Sequence, residues 1–249
     1  MDELTWVHWV LGALGAIFVG LGKGGLPGMG NVTVALYLMI LPDPKLSVGV
    51  LLPVLSSADI VAVRIYRRHA SWVHLKKLFP WAFLGLLVGY FSFQSLDSQQ
   101  VKLLIGGLLV VFTAIHLIRN YVMKISADNV PDHFFFRGFM GVLGGFATMV
   151  ANAAGPIAAF YFLAMRLPKY AFIGTTAWFF LVINLIKVPF MIDLGIINWT
   201  WMYFSLAMMP FAMAATVVAP HIVKHINQKL FEALIWFFIA VAGIKLLFF

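Results

Sequence analysis

Apolar residues fill this chain in long runs with brief polar punctuation, at about 5–22, 28–41, 45–65, 76–94, 99–119, 135–150, 152–166, 169–193, 198–222 and 229–249. Runs this uniform predict helices that cross a bilayer, since a spanning segment must satisfy its own backbone hydrogen bonds. Two stretches do not fit simple crossings. As one helix, 5–41 would be about 55 Å long, against a hydrocarbon core of about 30 Å. It is interrupted by Gly22-Lys23-Gly24-Gly25-Leu26-Pro27-Gly28. The stretch 135–166 is also too long and is broken at Asn152-Ala153-Ala154-Gly155-Pro156. Each predicts a helical hairpin, and paired interruptions in two halves of a hydrophobic chain point to the substrate site of a secondary transporter.

Loop charges orient the spans. Arg64, Arg67, Arg68, Lys76 and Lys77 form the most basic loop, which belongs in the cytoplasm. With both interrupted stretches taken as hairpins, Pro42-Asp43-Pro44, Leu96-Asp97 and Asp193 fall outside. Arg119 with Lys124, Arg166 with Lys169, and Lys224 with Lys229 fall inside. Both termini are then non-cytoplasmic. A single crossing in place of either hairpin breaks this agreement. The acidic start, Met1-Asp2-Glu3, runs into an apolar segment without a cleavage pattern and reads as a retained first span.

Each half, 1–120 and 121–249, is thus a hairpin plus three crossings. The first contains a hairpin at about 5–41 and helices at about 45–65, 76–94 and 99–119. The second contains a hairpin at about 135–166 and helices at about 169–193, 198–222 and 229–249. Three crossings are odd in number, so the second half enters the membrane upside down. A shift of 125 residues brings Gly20 onto Gly145, Gly30 onto Gly155, Gly49 onto Gly174 and Asp59 onto Asn184. The expected fold is an all-α polytopic membrane protein of two inverted repeats, each a re-entrant helical hairpin plus three transmembrane helices. The tips are expected to meet near the bilayer midplane of the cell inner membrane.

Composition agrees: 63% of the 249 residues are hydrophobic and 10% charged, against about 25% charged in soluble domains. The net charge of +8 sits in short loops, so topology accounts for it and nucleic acid is not an expected partner. Without cysteine there is no disulfide or thiol chemistry. No metal-ligand spacing, phosphate loop or nucleophile elbow occurs, so neither a metal, a cofactor nor an enzymatic activity is expected.

The half-helix N-termini near Pro27 to Asn31 and near Asn152 to Ile157 carry partial positive charge and suit an anion. As packing kinks they would instead be capped by neighbouring helices. Lys23 lies in the first break, and Lys187 lies within an apolar helix, where a lysine costs about 2.5–3.5 kcal/mol. Snorkelling is the alternative for Lys187. Asn184 is one turn from Lys187 on the same face. Asp59 is the acidic residue well inside an apolar helix, available to carry a coupling proton or to pair with Arg64; a direct bridge to Lys187 is disfavoured by depth. Ser56, Ser57, Thr175 and Thr176 add hydroxyls at similar depths. Trp6, Trp9, Trp72, Trp199 and Trp201 read as interfacial anchors.

At these motifs the chain resembles the sulfite exporter TauE/SafE family of membrane transporters. The resemblance rests on the glycine cluster at 22–28 and on Asn152-Ala153-Ala154-Gly155-Pro156 leading to Tyr161-Phe162-Leu163-Ala164. It continues in Gly174-Thr175-Thr176-Ala177-Trp178-Phe179, followed by Asn184, Lys187 and Pro189. It implies transport of a small sulfur-containing anion such as sulfite, thiosulfate or a sulfonate. The expected substrate-binding residues are Lys23, Gly24, Gly25, Pro27, Gly28, Asn31, Asn152, Ala153, Gly155, Pro156, Thr175, Asn184 and Lys187, with Asp59 for proton coupling. The alternatives are an anion channel and a carrier of another small carboxylate or oxyanion.

Overall fold

A computed structural model describes residues 4–26, 28–41, 44–95, 133–197 and 199–248, with isolated positions between 99 and 114. Pro27, Asp43, the Leu96-Asp97 loop, the loop of Arg119 and Lys124, and most of the crossing expected at 99–119 lie outside the described residues. The helices are α1 (Trp6–Lys23), α2 (Met29–Ile40), α3 (Pro44–Tyr66), α4 (Trp72–Ser92), α5 (Phe134–Ala151), α6 (Ala154–Ala164), α7 (Lys169–Asp193), α8 (Trp199–Val223) and α9 (Gln228–Phe248). A 3-10 turn at Arg67–His69 follows α3, and no strand occurs among the described residues. Trp6–Lys23, Leu46–His69, Phe134–Ala151, Lys169–Asp193 and Trp201–Val223 are long and apolar enough to span a bilayer.

The helices group into two packing units: residues 1–75 with 169–227, and residues 76–168 with 228–249. In the first, α1 and α8 touch along a row of small residues spaced by four. A Cβ on Gly12 would sit 2.4 Å from the Phe204 ring, on Gly20 2.1 Å from the Ala212 carbonyl oxygen, and on Gly24 2.2 Å from the Ala219 Cβ. Both numbers rise together, so the two helices are parallel. Small residues allow this approach, and in lipid such packing replaces the hydrophobic effect as the source of association.

Helix α2 turns back along α1. Met29 lies beside Gly22, while Tyr37 covers Gly15, and the Thr33 hydroxyl donates to the Gly15 carbonyl at 3.1 Å. Helix α1 ends in a Schellman closure: Leu26 N–H donates to Leu21 O at 3.0 Å and Gly25 N–H to Gly22 O at 3.1 Å. Gly25 has φ of 111°, a conformation that favours glycine.

Helices α3 and α7 run antiparallel. The C-terminal end of α3 and the turn after it cover Gly174, where an added Cβ would be 2.7 Å from Tyr66 O. Ser71 N–H donates to Thr175 Oγ1 at 2.8 Å. At the other end, the segment after α7 covers Gly49, where a Cβ would be 2.6 Å from Ile196 O.

In the second unit α4 and α5 are parallel and in backbone contact. Numbers rise together from Gly141, where a Cβ would lie 3.2 Å from Leu78 O, to Gly89, where one would lie 2.8 Å from Met149 Cβ. Between them a Cβ on Gly145 would lie 1.9 Å from Ala82 O, and one on Gly85 2.0 Å from Val142 O. Helix α6 turns back along α5, with Ile157 beside Gly144 and Phe136 against Phe160 and Tyr161. Phe160 also meets Trp236 of α9. Helix α6 ends in another Schellman closure, Leu167 N–H to Phe162 O at 3.3 Å and Arg166 N–H to Leu163 O at 2.9 Å. Here Arg166 takes the left-handed conformation with φ of 54°, which costs a non-glycine residue about 1 kcal/mol. Arg166→Gly is therefore expected to raise the thermal midpoint by about 2 °C, whereas Arg166→Ala keeps the strain and does not raise it. Thermal unfolding in detergent checks this.

Candidate functional site

Lys23 closes α1, and helical side chains lean toward their own N-terminus, so its ammonium reaches back beside the helices instead of out past the break. It lies 2.8 Å from Asp59 Oδ1, 3.0 Å from Asp59 Oδ2 and 4.1 Å from the centroid of the Phe180 ring, a cation–π distance. The Oδ1 contact is an ion pair without hydrogen-bond direction. Asn184 Nδ2 donates to Asp59 Oδ2 at 2.8 Å. Asp59 and Lys187 have no solvent exposure, whereas the Lys23 side chain keeps 15%. Lys23 is therefore the accessible member of these three.

Lys187 lies one turn beyond Asn184, within electrostatic reach of Lys23. With all three ionised, Lys23, Lys187 and Asp59 carry a net charge of +1. Thr176, Phe180, Asn184 and Lys187 share one stripe of α7 by helical periodicity. The Thr176 hydroxyl is buried without a hydrogen-bond partner among the described residues.

The charge and the break sit at different depths. The break is level with the last turns of α3 and α8. Gly24 lies against Ala219, Gly25 against Ile173 and Val223, and Tyr66 Oη donates to Gly24 O at 2.9 Å. Phe180, by contrast, is close to the middle of α7. The expected mid-depth position therefore belongs to the Lys23 ammonium, and the α1–α2 break lies nearer the helix ends. Length explains the difference, because an 18-residue α1 is about 27 Å long and uses nearly the whole hydrocarbon thickness.

The other expected site residues fall as follows. Gly24 and Gly25 have glycine identities explained by close approach and, for Gly25, by the left-handed turn. Gly28, also left-handed with φ of 82°, is the N-cap of α2, and Asn31 is the third residue of that helix. Asn152, with φ of 51°, ends α5, and Ala153 is the N-cap of α6. Gly155 and Pro156 fill the first turn of α6, where proline's missing N–H has no intrahelical partner to lose. Neither N-cap side chain closes its helix. The Thr175 hydroxyl is engaged twice, donating to Ala171 O at 2.6 Å and accepting from Ser71 N–H.

Two alternatives are set aside by this geometry. Asp59 pairs with Lys23 and Asn184, and Arg64 is exposed. Lys187 is fully buried and does not snorkel. The Lys23–Asp59 pair and the Phe180 contact were missed by sequence reasoning. The one available signal was that a solitary intramembrane acid needs a partner, and Lys23 is the lysine set in a break. Among the described residues no group of three metal-ligating side chains occurs.

Positions matched by the 125-residue shift have matching environments. Gly20 and Gly145 each face a carbonyl oxygen of a parallel helix, and Gly49 and Gly174 each lie under the chain that leaves the opposite helix. Gly30 and Gly155 are both second residues of short helices and face open space. Asp59 and Asn184 are hydrogen-bonded to each other across that same separation.

No curated protein and no solved structure gives a significant match to the chain. The family model described as Sulfite exporter TauE/SafE matches residues 12–246. With that match running through both breaks and the buried charges, the chain belongs to the TauE/SafE sulfite exporter family of membrane transporters.

Proposed function

We propose that the protein is a secondary transporter of a small sulfur-containing anion, sulfite or a small organosulfonate. The observation that carries this reading is the cluster in which, among the described residues, two lysines lie about one buried acid and Lys23 is the member of these three that keeps solvent exposure. A carrier of a cation would need the opposite excess. Lys23 supplies the principal charge, the Thr176 hydroxyl and Asn184 lie on the same stripe of α7, and Lys187 adds long-range attraction. The half-helix end at Gly28, in the same packing unit as Lys23, offers further N–H donors of the kind that hold anions in other carriers.

The reciprocal environments of Gly20 and Gly145, Gly49 and Gly174, and Asp59 and Asn184 support two inverted repeats. For α3 and α7, which share one packing unit, a twofold relation would pass beside the Asp59–Asn184 hydrogen bond, because a residue bonded to its own repeat mate must lie near such an axis. The parallel α1–α8 pair and the antiparallel α3–α7 pair run in the relative directions that the loop charges demand, which supports the crossing pattern; the basic loops then set the termini on the non-cytoplasmic side. Among the described residues Asp59 is the buried acid, and it is our candidate to carry a coupling proton.

Uptake of radiolabelled sulfite into proteoliposomes tests this. Saturable uptake, competed by ethanesulfonate and driven by an imposed pH gradient, is the expected result. Flux that stays linear in sulfite concentration would make the protein a channel, and absence of sulfite flux would remove the substrate assignment.

A further inference from the structure

We propose that Asp59 is a resident stand-in for the transported anion: its carboxylate holds the Lys23 ammonium in the empty site, and substrate binding displaces it. The inference rests on the anion-transport reading above and adds to it an internal competitor that sets affinity. Three observations carry it. Lys23 is the exposed member of the cluster, yet its charge is already met by two carboxylate oxygens at 2.8 and 3.0 Å. A further contact, the Phe180 ring, attracts a cation and competes for no anion, so the ammonium keeps a seat on the ring when it exchanges Asp59 for substrate. Asn184 donates to Asp59 Oδ2 from the opposite helix and retains the carboxylate after Lys23 turns away. Asn184 is thus a positioning residue.

The symmetry of the pair makes the idea specific. Asp59 and Asn184 are isosteric, occupy repeat-related positions and touch one another, with the Lys23 ammonium beside both. A carboxylate at either position serves as competitor, one at both positions competes harder, and one at neither leaves Lys23 free. This ordering runs against a merely structural role, in which every change to the pair harms binding alike.

Calorimetric titration of the purified full chain with sulfite, and separately with ethanesulfonate, reads the ordering. Asp59→Asn is expected to bind about tenfold more tightly than wild type and Asn184→Asp about tenfold more weakly, within the usual range of coupling between sites. The exchange variant Asp59→Asn/Asn184→Asp is expected to return close to the wild-type affinity. A folded Asp59→Asn that binds more weakly, or an Asn184→Asp that binds as wild type does, overturns the proposal. Should Asp59→Asn not fold, Asn184→Asp and the exchange variant decide between the same outcomes. If wild type and all variants give no heat with either anion, the transport reading itself has failed, which is a different result from a reversed order.

Discussion

Replacing Lys23 by methionine is expected to abolish sulfite binding, with an affinity loss of at least about thirtyfold, since desolvated charge partners contribute about 2–5 kcal/mol. The single variant also strands Asp59, a fully buried carboxylate, and removing one partner of a buried pair costs about 3–5 kcal/mol of stability. Two effects would therefore be mixed in one measurement. The double variant Lys23→Met/Asp59→Asn separates them, because it removes the stranded charge: its thermal midpoint should recover while binding stays absent. Sulfite affinity at the wild-type level in that folded double variant would discard the charge argument. Lys187→Met is expected to weaken binding less, because Lys187 is wholly enclosed and reaches the ligand through its field alone.

The largest effect on folding is expected from valine at Gly145 or Gly20. At each, a Cβ would fall about 2 Å from a backbone carbonyl oxygen of the neighbouring helix, Ala82 O for Gly145 and Ala212 O for Gly20. A flexible side chain could yield, but a backbone cannot without parting the helices along their length. Overpacking in well-packed cores costs about 1–3 kcal/mol and sometimes more. Contact with main chain in a helix pair held by close approach lies at the upper end. Both variants should fail to yield monodisperse protein in gel filtration after detergent extraction. Recovery of either at wild-type yield and melting temperature would mean that the helices do not approach as described.

Much of the helical layout was legible because glycine, proline and loop charge punctuate an apolar chain. The expected break at 22–28 corresponds to α1 ending at Lys23 and α2 starting at Met29, and Asn152 separates α5 from α6. The 125-residue shift singled out residue pairs whose surroundings turn out alike. The pairing within the site was not legible. Sequence distance suggested Arg64 for Asp59, since five residues on one helix are easy to see and a partner on α1 is not. The first break lies away from the expected mid-depth because an 18-residue α1 already uses nearly the whole hydrocarbon thickness before it ends. Thr175 was favoured as a ligand, but only tertiary packing shows its hydroxyl engaged by Ser71 and Ala171 while that of Thr176 is unused.

The open surroundings of Gly30 and Gly155 have a practical consequence. In a chain that has no cysteine, thiol groups introduced at these two positions would be unique attachment points with room for a spin label or fluorophore. They would ride on the first turns of α2 and α6, so distance distributions between them with and without sulfite would follow the working cycle directly.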